Sequence, residues 1–281
     1  LDDVYIGMAL IDLYKITRIQ RYKRALDSLA LYIKNYPTDS QGSFLSSYNA
    51  PGGTAVDISS IGTAVPFMMK YSHEFKDLEM ETLAVSQIIN YLDKGMDDKL
   101  ILPYHGYNFN DGLKMGIIGW GQAVGMLMMG MSETLYYMDK ERSSYEPIRM
   151  GFRRVVDKVE AYQNTEGLYH WQLSAKDGPV DTGATAMILS AISQSIDDKV
   201  LIGIHKTRMM RGVETLKTMV LKEGKINGAM ARAEGFNNYP IITDAYPWAL
   251  GPALSLFVRL EDELVQEENI SSIDWEDTYD N

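Results

Sequence analysis

The sequence predicts an all-α fold in which helical hairpins are set in a ring, a toroid of the (α/α)6 type that is incomplete in this chain. Three observations predict it. Apolar residues recur at helical spacing in nine segments, and no two segments alternate in the manner of paired strands. Long connections carrying glycine and aromatic residues recur at intervals of roughly 60 residues, the length of one two-helix unit with its loops. Just after these connections an acid precedes a small residue by five positions: Asp2 and Gly7, Asp57 and Gly62, Asp181 and Ala186, Asp244 and Ala249.

In chain order, the first helix is expected over 4–16 and the second over 22–33, joined through Thr17-Arg18. The connection Gln41-Gly42-Ser43-Phe44 leads to a third helix over 58–71. Its opening repeats that of the first: Asp-x-x-x-Ile-Gly-x-Ala stands at both Asp2 to Ala9 and Asp57 to Ala64. The fourth helix, 78–92, follows a short turn over 72–76. Pro103-Tyr104-His105-Gly106-Tyr107 then precedes a fifth over 117–138, where Lys114 holds the acid's slot, and a sixth covers 145–162. After Glu166-Gly167-Leu168-Tyr169-His170 come the seventh, 182–196, and the eighth, 204–221. Glu223-Gly224-Lys225-Ile226 leads to the ninth, 246–264. Small residues let helices approach closely, so helices that open on the acid and small-residue pair read as the inner ring and the more charged ones as the outer ring.

Four hairpins and one unpaired helix stand against the twelve helices of a closed six-hairpin ring, about three fewer. The chain starts at Leu1-Asp2-Asp3 with neither an initiator Met nor a signal-peptide pattern, so the natural N-terminus is expected upstream. The expected organisation is one toroid domain over 1–264 and an acidic tail over 265–281. The stretch from Glu261 onward carries nine acids.

Acids outnumber bases 38 to 27, a net charge of -11, which argues against a nucleic-acid partner, since phosphate binding needs clustered Lys and Arg. With no cysteine there is neither a disulfide framework nor a thiol nucleophile, a composition that fits a reducing, cytoplasmic compartment. The longest apolar stretch, 117–131, is broken by Gly119, Gly121, Gly125 and Gly130, so no membrane span is expected. His73, His105, His170 and His205 show no metal-ligand pairing on one helix face, and there is no glycine-rich phosphate loop or nucleophile elbow. Neither a metal nor an organic cofactor is expected.

The inner-helix N-termini of such a ring share one rim, where acids from neighbouring helices converge. Asp57 and Asp2 are the leading pair for carboxylate chemistry on a sugar, one group protonating while another positions water. An Asp at a helix start is equally a favoured N-cap. His105 and Tyr107 lie in a loop at the same rim, where aromatic faces stack on sugar rings and an imidazole exchanges a proton near neutrality; a lone loop histidine is also commonly just exposed. Trp120 and Gln122 sit among Gly116, Gly119, Gly121 and Gly125, which suggests close approach of backbone to a ligand or to another helix. Tyr169 and Trp248 add aromatic surface, and the partner expected is an oligosaccharide.

Several segments together carry a resemblance. They are Leu1-Asp2-Asp3 through Leu13-Tyr14, Gly42-Ser43-Phe44, Asp57 ahead of Pro66-Phe67, Tyr104-His105-Gly106-Tyr107, Gly119-Trp120, Gly167-Leu168-Tyr169 and Asp181-Thr182-Gly183-Ala184-Thr185-Ala186-Met187. In that order, across nearly all of 1–264, the set resembles the unsaturated rhamnogalacturonyl and unsaturated glucuronyl hydrolases, glycoside hydrolase families 105 and 88. The resemblance implies an (α/α)6 barrel that removes a 4,5-unsaturated uronic acid from the end of an oligosaccharide. An Asp protonates the double bond, water adds at the neighbouring carbon, and the unstable hemiketal releases the sugar, with no cofactor. It further implies Asp57 as the acid–base group, Asp2 as the second carboxylate, His105 as a substrate contact and Trp120 as a stacking platform.

Three positions depart from the pattern. The family Asp usually lies seven residues before the Pro-Phe pair, where Ser59 stands, and Asp57 lies nine before. Gly116 takes the place of the Arg in an Arg-Gly-Asn-Gly-Trp motif, and Leu45 and Ser46 stand where a His is expected. A non-catalytic or divergent sugar-binding toroid therefore stays open as an alternative, as does another (α/α)6 sugar enzyme such as an epimerase or lyase.

Overall fold

The structure, a computed structural model, describes residues 1–46 and 53–271, the side chains of Asp2 and of 262–271 excepted. After a 3-10 turn (Asp2–Tyr5) the helices run α1 (Ile6–Thr17), α2 (Gln20–Lys34), α3 (Ser59–Thr63), α4 (Val65–Phe75), α5 (Leu78–Lys94) and α6 (Gly121–Tyr137). They continue as α7 (Tyr145–Glu160), α8 (Thr182–Asp197), α9 (Ile204–Thr218) and α10 (Pro247–Ser271). Helices α1, α4, α6, α8 and α10 pack side by side in chain order, while α2, α5, α7 and α9 lie outside α1, α4, α6 and α8 respectively. This is the alternating inner and outer arrangement of an α/α toroid.

Composition sorts the two layers. Every residue of α8 from Thr182 to Ser195 is buried, a run dominated by Gly, Ala, Ser, Thr, Ile and Leu that is covered on all sides. Helix α7 instead buries one stripe, Ile148, Phe152, Val155, Val156 and Val159, and turns its charges outward. Inner-to-outer turns are tight. Arg18 (φ +56°) ends α1 and Lys76 (φ +59°) ends α4 in the left-handed conformation, each accepting no further turn of helix. Asp77 then caps α5, accepting from the Met80 N–H at 3.0 Å.

Glycines set the spacing of the inner ring. A Cβ on Gly7 would lie 2.2 Å from the Phe67 ring, one on Gly62 2.6 Å from Met126, and one on Gly125 2.6 Å from Met187. Gly183 is likewise covered by Trp248, 3.0 Å from where its Cβ would be. Each inner element thus receives a side chain from the next inner helix in the chain, and the small residues of the repeat are the sockets.

The helix expected over 58–71 is interrupted at Ala64. Pro66 lacks an N–H and its ring clashes with the preceding turn, so α3 ends and α4 begins with the proline in its first turn. The helix expected from 117 starts at Gly121, because Gly116 (φ +77°) and Gly119 (φ +64°) adopt the left-handed conformation. The ninth helix runs past 264 to Ser271, and the tail from 272 lies outside the described residues.

The expectation of no paired strands is corrected. Two short antiparallel sheets join the long connections at the rim: β1 (Ala55–Asp57), β2 (Gly106–Asn108) and β3 (Lys114–Met115) in one, β4 (Ala229–Met230) and β5 (Thr243–Asp244) in the other. Their cause is the backbone of connections that cross a partly buried rim and must pair its polar groups; strands of two or three residues leave no periodicity to read. The register sets Asp57 opposite Gly106 and Val56 opposite Tyr107.

Candidate active site

The end of β1 carries Asp57 into the start of α3. Its Oδ1 accepts the Ser59 N–H at 2.8 Å and also the Ser59 hydroxyl, so the carboxylate turns the chain from strand to helix. Asp57 is buried, and its strand partner β2 delivers His105 beside it: the Ile58 N–H donates to the His105 carbonyl at 3.0 Å.

The imidazole of His105 is fully enclosed by aromatic rings. Trp120, immediately before α6, lies 4.6 Å away between ring centroids, Phe236 5.0 Å and Tyr239 5.5 Å. Tyr239 also packs edge-on against Trp120 at 5.4 Å and touches Trp171 at 6.4 Å. His105 Nδ1 and the Tyr239 hydroxyl are 2.7 Å apart, and the same hydroxyl accepts the Ile117 N–H at 3.1 Å. Burial pushes the His105 imidazole down from 6.5 to about 4, only partly opposed by the nearby Asp57 carboxylate, so the ring is neutral at physiological pH. Gly106 and Gly116 make the enclosure possible. A Cβ at 106 would sit 2.4 Å from the Phe236 ring, and one at 116 would sit 2.3 Å from the Tyr239 hydroxyl and 2.6 Å from His105 Cβ.

A second buried group adjoins this one. Asp181 caps α8, accepting from the Gly183 N–H at 2.9 Å, and also takes the Met230 N–H at 3.1 Å and Gln122 Nε2 at 3.2 Å. Burial pushes its carboxyl up, against the pull of those donors. Gln122 Nε2 and Trp248 Nε1 both donate to the Met230 carbonyl, each at 3.0 Å. Gln122 and Trp248 therefore tie α6 and α10 to the β4 strand.

The sequence-derived candidates thus divide. Asp57, His105 and Trp120 come together; Gln122 and Trp248 lie in the adjoining network with Asp181. Tyr107 stands on the other side, its hydroxyl 3.3 Å from Ser43 Oγ and its ring 5.5 Å from Tyr91, inside the outer wall. Tyr169 is also core: it is fully buried, in the field of Glu160, Arg208 and Arg211 beneath α7 and α9. The reason is shared, since a ring flanked by a glycine in a rim loop satisfies its apolar area by packing inward as readily as by facing a ligand. Asp2 opens the 3-10 turn, and its side chain lies outside the described residues.

Phe236 and Tyr239 were not among the candidates. They sit in the connection between α9 and α10, in Gly235-Phe236-Asn237-Asn238-Tyr239-Pro240, whose glycine and paired aromatics are the same signal that marked the other rim loops. Among the described residues no three His, Asp or Glu side chains gather to hold a metal ion, and no helix is long and apolar enough to cross a membrane. A groove of about 670 Å3 between α5 and α7, lined by Ile89, Met96 and Met150, lies on the outer wall and contains none of these candidates.

Residues 1–262 match Glycosyl Hydrolase Family 88. The chain belongs to that family. The family 88 chain is a glycosidase by membership, and known relatives agree with the fold. The unsaturated rhamnogalacturonyl hydrolase YesR of Bacillus subtilis (strain 168) is 22% identical over 267 residues, covering 91% of this chain and 75% of that protein. A glycoside hydrolase of family 105 from C. acetobutylicum ATCC 824 superposes with a TM-score of 0.80 at 21% identity, over 91% of this chain and 78% of its own. The unsaturated glucuronyl hydrolase of Bacillus sp. GL1 gives 0.74 at 14% identity, over 92% and 73%. These likenesses show the toroid, as the sequence predicted.

Proposed function

We propose that this family 88 chain removes a 4,5-unsaturated uronic acid from the end of an oligosaccharide, with Asp57 protonating the double bond. The observation that carries the reading is the placement of one buried carboxylate beside a neutral imidazole and an indole face at the inner-helix rim. Asp57 is oriented by Ser59 through a single oxygen, Oδ1, and the pair of bonds fixes the carboxyl plane. His105 is a neutral hydrogen-bonding group in this reading, Trp120 the platform for the sugar ring, and Asp2 the second carboxylate that positions water. The substrates in the names of the relatives support the same choice of sugar.

A second reading has a specific observation in its favour. The position that the resemblance gives to arginine is Gly116, and the space beside it is filled by a tyrosine hydroxyl, so a uronate would lack its guanidinium partner at that corner. A toroid that binds the sugar without turnover would look the same. Incubation with oligosaccharides generated by a polysaccharide lyase separates the two: hydration of the conjugated double bond removes its ultraviolet absorbance. Loss of absorbance with wild type and a fall of at least about a hundredfold in kcat with Asp57→Asn are expected for a general acid. Full activity in Asp57→Asn would refute the role of Asp57, and sugar binding without absorbance loss would favour the second reading.

A further inference from the structure

We infer that Tyr239 is a positioning residue of this site, holding His105 as a neutral imidazole whose proton resides on Nε2. The inference rests on the catalytic reading only for its kinetic consequence. Three observations fix the geometry. The Tyr239 hydroxyl accepts the Ile117 N–H at 3.1 Å, which occupies one lone pair. It lies 2.7 Å from His105 Nδ1. It also fills the space beside Gly116, 2.3 Å from where a Cβ would stand, so the residue at 116 has to be glycine for the hydroxyl to be there.

The direction of the His105 bond follows from the chemistry of the groups. A backbone N–H donates and cannot accept, so the phenolic hydrogen does not go to Ile117. Directed at Nδ1, it requires that nitrogen to be unprotonated, and a neutral imidazole with Nδ1 accepting bears its hydrogen on Nε2. The burial that keeps the ring neutral agrees with this. Packing against Trp120 and Trp171 holds the tyrosine ring in place, so the hydroxyl arrives already oriented.

The consequence is a difference in how an acidic sugar is met. A motif arginine would offer a charged fork to the carboxylate, whereas the Gly116 and Tyr239 pair offers a neutral imidazole N–H. Charge-assisted bonds are about twice as strong as neutral ones, so this corner discriminates weakly between an unsaturated uronate and its C6 methyl ester. The ligand class is an unsaturated uronyl sugar in either form.

The test is nitrogen-15 NMR of His105 in the whole chain, with Tyr239→Phe beside wild type. Wild type should show His105 protonated at Nε2 and unprotonated at Nδ1; Tyr239→Phe should show a mixture of tautomers, with kcat/KM lower by about tenfold as expected for a lost buried hydrogen bond. The wild-type spectrum needs no variant to fold. A proton on Nδ1 in wild type, or an unchanged tautomer in Tyr239→Phe, would overturn the inference. Absence of turnover together with the Nε2 tautomer would sink the catalytic reading and leave this one standing.

Discussion

Acidification should destabilise this protein through one side chain. His105 titrates near 6.5 when unfolded and near 4 when folded, because the folded chain surrounds it with rings and cannot solvate an imidazolium. A depressed folded value means that the stabilising contribution is complete above about 6.5 and is lost as pH falls toward 4, where the unfolded chain gains a proton the folded one refuses. Each pH unit across that gap is about 1.4 kcal/mol, so the loss attributable to His105 is about 3 kcal/mol. Urea unfolding followed by tryptophan fluorescence through this interval, on wild type and on His105→Gln, isolates it. Wild type should lose about 3 kcal/mol more than the variant over the same range. Parallel pH slopes, or an NMR titration placing His105 at 6.5 or above, would refute the reasoning.

Two further outcomes follow from the buried acids. Asp181→Ala removes the α8 cap, about 1 kcal/mol, and leaves the buried Met230 N–H unpaired, about 1–3 kcal/mol; a urea midpoint shift equivalent to about 2–4 kcal/mol is expected, and under about 1 kcal/mol would contradict the network. Glu133 on α6 is pushed up to about 7 by burial, opposed by a hydrogen bond from Gln194 and by Arg259 and Lys70, and reinforced by Asp198. A raised folded value places its stabilising contribution below 4.5 and removes it as pH rises through about 7. Glu133→Gln should therefore flatten the fall in melting temperature across neutral pH, and an unchanged fall would count against it.

How far the sequence carried the reading depends on the scale of each feature. The ring was legible because inner and outer helices differ over whole turns: α8 buries every residue from Thr182 to Ser195, whereas α7 buries one stripe. Gly7 and Gly62 were legible as sockets because a glycine five residues after an acid recurs. The five short strands were not, since two or three residues carry no period. Asp57, His105 and Trp120 came together because each stands just before or within an inner-helix start. Tyr107 and Tyr169 did not, since identical loop chemistry leaves undecided which way a ring packs. Tyr239 escaped because its role depends on a residue 122 positions away, Ile117, and on the empty side of Gly116. Only the fold brings those together.

The socket arrangement of the inner helices has a consequence for cooperativity. Gly7 receives Phe67, Gly62 receives Met126, Gly125 receives Met187 and Gly183 receives Trp248, so every interlock joins one repeat to the next along the chain. Stability then accumulates as in a linear array of repeats, from the intrinsic terms of each hairpin and the coupling between neighbours. The α6 and α8 hairpins, gripped on both flanks, are the last to open, and fraying starts where α1 and α10 are held from one side. The rim that carries Asp57 and His105 straddles the interlock of α3 with α6, so the candidate chemistry sits on a coupled joint and not on a fraying end.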